Sequence, residues 1–157
     1  MNIHSPTFGP ISLSEASAQI QSFIQEDPEA SYKVIIGTDS QTTKKHTLFV
    51  SALIIRRVGK GARFFYTKQR HKAMPNLRHR IYKETELSLA FIDSLKKEGV
   101  FQLLASWPLE VHLDIGQEGE TRVLIQEVVG WVTAVGYQAI IKPFSFGASS
   151  VADRFTS

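Results

Sequence analysis

Asp39, Glu84 and Asp114 are the residues whose types and placement could do chemistry together. Asp39 closes the run over residues 32–38, which is apolar on both faces and rich in β-branched side chains, the pattern of a central buried strand. Asp114 closes a second, shorter strand pattern over residues 109–113. If these strands are parallel neighbours, both carboxylates emerge at the C-terminal edge of the sheet, where open α/β sheets bind ligands. Between them, residues 78–97 read as a helix. Counting about 100° per residue from Ile81, Leu95 falls near about 320°, Ile92 near about 20° and Glu84 near about 300°, on the same apolar face. Glu86 falls near about 140° and points away, so it is the reserve candidate.

A carboxylate on the packed side of a helix is costly unless something cationic receives it. Two carboxylates about 4 Å apart repel by about 4 kcal/mol at an effective dielectric constant of about 20, so a cluster must take up protons or a divalent metal. An all-oxygen donor set favours Mg²⁺ or Mn²⁺. Two such ions about 3.5–4 Å apart can activate a water and stabilise the leaving oxygen of an in-line phosphodiester displacement. The chain contains no cysteine, which excludes disulfide scaffolds, zinc fingers, iron–sulfur sites and thiol nucleophiles. His46, His71 and His79 show no recognised zinc spacing.

The charge distribution points to the same chemistry. The formal net charge is only +3, yet residues 41–83 hold twelve Lys or Arg and no Asp or Glu. A charge run is ordinarily a solvated face, but like charges repel in the compact state, and a phosphate backbone is the natural counterweight to so many. Lys44, Lys45, Arg70, His71, Lys72 and Arg78 are the candidate substrate contacts, those from His71 to Arg78 forming a basic loop that could clamp substrate. Phe64, Phe65 and Tyr66 interleave with Arg63 and Lys68 and could stack bases, although an alternating strand sends at least one ring into the core. His112 is expected to share a strand face with Asp114, either tuning the site or as a structurally satisfied histidine.

These residues need elements to hold them. Ser12 and Glu15 make a capping box for a helix over residues 12–26, ended by Pro28. Two further strands, 46–57 and 62–70, join around Gly59 and Gly61 in a hairpin turn; no phosphate-loop pattern surrounds these glycines. A buried helix over 121–135, a strand over 137–142 and a last short helix from Ser149 or Ser150 complete the order. The fold class is therefore α/β, with a mixed five-stranded sheet: an antiparallel meander, then β-α-β crossovers, flanked by helices and preceded by an extra N-terminal helix. With 157 residues, 43% of them apolar, the chain is expected to form a single domain over residues 1–157. It shows neither a bilayer-length apolar run nor a leader pattern, so a soluble, cytoplasmic protein is expected.

The strand-end Gly-Thr-Asp39-Ser-Gln, the helix acid Glu84, the strand-end His-Leu-Asp114-Ile-Gly and the terminal Ala-Ser-Ser-Val-Ala-Asp153-Arg resemble the acidic set of the ribonuclease H-like superfamily. More narrowly, the chain resembles the small YkuK-like family of RNase H-related bacterial proteins over nearly its full length. The resemblance implies an RNase H-like fold and a metal-dependent nuclease acting on RNA, DNA or a hybrid. Carried over by position, it implies Asp39, Glu84, Asp114 and Asp153 as catalytic metal ligands. Asp39 would bridge two Mg²⁺ or Mn²⁺ ions, Glu84 and Asp114 would each hold one, and Asp153 would complete the second position. Products with a 3′-hydroxyl and a 5′-phosphate are implied too.

Each acid also has a plainer reading. Asp39 and Asp114 could be turn residues, Glu84 could pair with Arg80, and Asp153 could cap the last helix. A nucleic-acid-binding module without catalysis, or a phosphatase or nucleotide hydrolase on the same metal site, remain the competing functions.

Overall fold

The computed structural model describes residues 3–146. Their order is β1 (Ile3–Ser5), β2 (Gly9–Ile11), α1 (Leu13–Glu26), β3 (Tyr32–Thr42), β4 (His46–Arg57), β5 (Ala62–Lys72), α2 (Leu77–Lys97), β6 (Leu109–His112), α3 (Ile125–Val135) and β7 (Gln138–Ile140), with short 3-10 turns at Val100–Gln102 and Glu120–Leu124. The expected last helix and Asp153 lie outside the described residues.

One sheet runs in the order β2-β1-β5-β4-β3-β6-β7. β3, β4 and β5 form the antiparallel meander, and β6 and β7 add in parallel beyond β3. The sheet therefore has seven strands rather than five. The two extra strands form an N-terminal hairpin whose single register contact with the meander is His4 opposite Tyr66. At three residues each they are too short to show a period of two, and Pro10 suits the edge of the sheet, where no donor is needed.

Helix α1 begins as its capping box requires: the Ser12 hydroxyl accepts from the Glu15 N–H at 3.0 Å, and Glu15 accepts from the Ser12 N–H at 3.4 Å. All three helices contribute to one core with the sheet. Ile20 and Phe23 of α1, Ile81, Phe91 and Leu95 of α2, and Val128 and Val132 of α3 meet Val34, Ile36, Leu53, Ile55 and Phe65. The opposite sheet face carries a smaller cluster of Ile35, Ala52 and Ile54, against which Phe64 and Tyr66 pack. Strand alternation thus divides the aromatic triplet, sending Phe65 into the main core.

Two boundaries differ from expectation in ways that bear on the site. β3 continues through Asp39 to Thr42 because β4 pairs with it down to Thr42 opposite Thr47, and a hairpin ladder needs backbone partners, not apolar side chains. β5 likewise runs on to Lys72, so His71 and Lys72 are strand residues and not a loop. The segment expected as one helix over 121–135 is α-helical only from Ile125, after a 3-10 turn in which Val123 is exposed.

Candidate metal centre

The C-terminal end of β3, the second turn of α2 and the residue two beyond β6 converge. Asp39, Glu84 and Asp114 each offer a carboxylate oxygen, and the three oxygens lie within 4.8 Å of one another. Glu84 is buried and the other two are half-buried. Glu86 lies exposed on the far side of α2 in an ion pair with Lys83 at 3.2 Å, as the helical angles require. Arg80 does not make the plain helix-surface pair considered for Glu84. Its Nη1 donates to the Met74 carbonyl at 3.4 Å.

Two polar links set α2 against β3. Thr38 Oγ1 lies 2.8 Å from Ser88 Oγ and 2.8 Å from Ser51 Oγ on β4, and Ser40 Oγ donates to Glu84 Oε2 at 2.5 Å. Two strand residues advance about 6.6 Å and four helical residues about 6 Å. Thr38 and Ser40 therefore stay in step with Ser88 and Glu84, with helix and strand running in opposite directions. This match holds the Glu84 carboxylate at the level of Asp39.

Electrostatics make the centre a poor place for three full negative charges. Burial pushes the Glu84 carboxyl up to about 8; the charges of Asp39 and Asp114 push the same way, while the Ser40 hydrogen bond and, more weakly, Arg80 oppose them. Oxygens within 4.8 Å of one another repel by at least about 3.5 kcal/mol per charged pair at an effective dielectric constant of about 20. Without a cation, Glu84 is therefore pushed toward its protonated form. A hard divalent cation is the alternative neutraliser, and a set of three carboxylates is the donor chemistry that Mg²⁺ or Mn²⁺ takes.

A family model described as Ribonuclease H-like matches residues 15–157. The chain belongs to this family. It is also 37% identical over 159 residues to a Bacillus subtilis (strain 168) protein named "Uncharacterized protein YkuK", covering 93% of this chain and 91% of that one. No solved structure matches the chain. In this Ribonuclease H-like protein the family's mixed sheet brings together three of the four acids expected from the resemblance, while Asp153 lies outside the described residues.

The expected substrate contacts distribute unevenly around the centre. Lys44 and Lys45 are exposed at the tip of the β3–β4 hairpin, where the Thr43 hydroxyl accepts from the N–H groups of Lys45 and His46 at 3.2 Å each. Arg70 and Lys72 are exposed along the end of β5, opposite Leu48 and His46. His71 is half-buried, edge-on to Phe49 with ring centroids 5.3 Å apart and 3.1 Å from Gln69 Oε1. Arg78 is drawn toward Glu127 on α3 at 3.6 Å and over the Tyr82 ring. Thr47 ties the hairpin to the entry of α2, accepting from the Met74 N–H at 2.8 Å. The basic tip, the end of β5 and the start of α2 therefore surround the same end of the sheet as the acids.

The basic block is not one patch, however. Arg56, Arg57, Lys60 and Arg63 sit at the opposite end, around the β4–β5 turn, where Gly59 and Gly61 both take left-handed φ values of 85° and 81°. Strands of this length separate the two groups by about 30 Å. Arg57 donates to the Phe23 carbonyl at 2.6 Å and to the Tyr32 hydroxyl at 3.3 Å, so it anchors α1 to the sheet.

His112 is a satisfied histidine. Its Nδ1 accepts from the Phe146 N–H at 3.2 Å and its Nε2 lies 3.2 Å from Glu110 Oε1, which together imply the tautomer protonated at Nε2. Burial pushes the His112 imidazole below its ordinary value, against the opposing pull of Glu110.

Sequence reasoning missed Ser40, Thr38 and Lys142. Ser40 and Thr38 stand two apart, as Glu84 and Ser88 stand four apart, and that paired spacing was the available signal. Lys142 Nζ sits 2.7 Å from Asp114 Oδ1; only the alignment of β6 with β7 brings it there.

Proposed function

We propose that this Ribonuclease H-like protein is a metal-dependent nuclease that hydrolyses phosphodiester bonds of RNA, DNA or a hybrid. The observation that carries the reading is the convergence of Asp39, Glu84 and Asp114 at one end of the sheet of a Ribonuclease H-like chain, at the positions the resemblance implies for its acids. When bound, one or two Mg²⁺ or Mn²⁺ ions supply the positive charge that activates a water and stabilises the leaving oxygen. Asp39, Glu84 and Asp114 hold that charge in place, with Asp153 as the proposed fourth ligand. Ser40 positions Glu84 and favours its ionised form. Lys44, Lys45, Arg70 and Lys72 neutralise phosphates of the bound strand next to the centre.

A binding module without catalysis would use the same cations, but a phosphate binder gains nothing from three carboxylates beside its ligand. Purified protein with Mn²⁺ is expected to cut at least one of RNA, DNA and hybrid, to stop in chelator, and to stop when Asp39 is replaced by Asn. If none of the three substrates is cut, the nuclease reading fails.

A further inference from the structure

The backbone pairing of β6 with β7 continues past both strands. The Leu113 N–H donates to the Ile140 carbonyl at 2.9 Å, and the Lys142 N–H donates to the Ile115 carbonyl at 2.8 Å. This ladder sets Lys142 beside Asp114, Ile115 and Gly116. Position 116 has to be glycine for that approach: a Cβ there would stand 2.9 Å from Lys142 Cβ, closer than real Cβ atoms come. With no side chain at 116 in the way, the lysine stem lies against the Gly116 backbone, and its ammonium ends 2.7 Å from Asp114 Oδ1.

The energetics of this contact decide what it can do. The two side chains are 53% and 42% exposed, and an exposed ion pair contributes at most about 1 kcal/mol. The pair therefore does little for the fold and is surrendered at small cost. A divalent cation held by Asp39, Glu84 and Asp114 carries twice the ammonium charge and repels it. The flexible four-carbon stem then lets the ammonium swing outward to the mouth of the centre, where it is placed to meet an anion. The anion that belongs there is a phosphate of the bound strand.

We propose that Lys142 is a catalytic residue of the centre: counter-ion to Asp114 when no divalent cation is bound, and contact to a substrate phosphate oxygen when one is. The proposal rests on the nuclease reading.

Its test uses the full chain and two variants, Lys142→Met and Gly116→Ala, the second displacing the lysine without removing its charge. Calorimetric titration with Mn²⁺ in the absence of nucleic acid is expected to show Lys142→Met binding the ion about fivefold more tightly, the equivalent of about 1 kcal/mol, because a competing charge is gone. Binding of a labelled single-stranded oligonucleotide is then compared in Ca²⁺, another hard oxygen-seeking cation, and in chelator. Lys142→Met and Gly116→Ala are both expected to weaken binding about fivefold in Ca²⁺ and by clearly less in chelator, where the wild-type ammonium is held by Asp114 and only its screening of that carboxylate is lost.

Equal weakening in both conditions would make Lys142 an ordinary surface charge and overturn the proposal. Weaker Mn²⁺ binding by Lys142→Met, together with a lowered melting temperature, would make the residue structural and overturn it as well. Should wild type bind Mn²⁺ and cut nucleic acid while neither variant differs from it, the lysine proposal alone falls. If wild type takes up no Mn²⁺, the nuclease reading falls with it.

Discussion

Ser40 on β3 donates its hydroxyl to Glu84 Oε2 on α2 at 2.5 Å, so the residue next to Asp39 in sequence is the one that aims the buried acid at it. This hydrogen bond favours the ionised form of Glu84 against burial and against the charges of Asp39 and Asp114. Ser40→Ala removes that support. The Glu84 carboxyl is expected to rise further, moving the onset of Mn²⁺ binding to higher pH, because a cation must displace the proton to use the ligand. The substitution is also expected to cost about 1–3 kcal/mol of folding stability through the polar group left unsatisfied. Calorimetric Mn²⁺ affinity measured across pH 6 to 9 checks it, and an unchanged midpoint would exclude the positioning role.

Glu84 gives the metal-free protein a pH dependence of definite sign. Its folded-state value is about 8 against an ordinary 4.5, so the native state binds more protons than the unfolded state between these values. Stability therefore falls as pH rises from about 4.5 to about 8, with about 5 kcal/mol as the ceiling for this group at about 1.4 kcal/mol per unit. Glu84→Gln, which is neutral throughout, is expected to flatten this slope and to be more stable than wild type above pH 8. Mn²⁺ is expected to raise the wild-type melting temperature more at pH 8 than at pH 5.5 and to act weakly on the variant. Denaturant unfolding at several pH values in chelator decides it; parallel curves for wild type and variant would mean that Glu84 ionises freely.

Asp39→Asn and Asp114→Asn each remove one ligand charge from a centre whose oxygens lie within 4.8 Å. Cleavage with Mn²⁺ is expected to fall by at least about 10²-fold in each, since metal-borne charge stabilisation is worth several kcal/mol. Nucleic-acid binding in chelator is expected to survive or tighten slightly, because a negative charge beside the phosphates has gone. Cleavage rates and binding isotherms on the same preparations separate the two effects. A variant that loses binding and cleavage in equal proportion would point to damage to the fold.

The legible part of the site was the part that periodicity transmits. Glu84 could be preferred to Glu86, which stayed in reserve, because a helix converts spacing into direction, and Asp39 and Asp114 could be set at one edge on the condition that the strand patterns they end belong to parallel neighbours. What periodicity does not carry is register between elements. The Ser40–Glu84 and Lys142–Asp114 contacts depend on how α2 sits along β3 and β7 along β6, which packing and backbone ladders decide. The strands of the N-terminal hairpin escaped for want of length: Ile3–Ser5 and Gly9–Ile11 show no pattern alone and exist by pairing with each other and with β5. The twelve basic residues looked like one feature because they are contiguous in sequence, whereas a meander carries its turn to the far end of the sheet.

That division yields a prediction in which binding and stability part company. Lys44 and Lys45 are exposed at the hairpin tip on the acidic end, with no ion pair to their ammonium groups among the described residues. Replacing both by Ala is expected to weaken oligonucleotide binding and to reduce the salt slope by about 1.4–1.8, the counterions of two phosphate contacts, with melting temperature unchanged. Arg57 stands at the other end, donating to the Phe23 carbonyl and the Tyr32 hydroxyl, with its guanidinium carbon 4.1 Å from the Phe23 ring centroid. Arg57→Ala is expected to cost about 1.5–3 kcal/mol of stability, as lost charge-assisted hydrogen bonds do, and to leave the salt slope of binding unaltered. Binding measured across a salt series, beside denaturant unfolding of the same variants, tests both. If Arg57→Ala flattens the salt slope as far as the Lys44 and Lys45 double variant does, the strand of nucleic acid runs the length of the sheet and the two ends act as one surface.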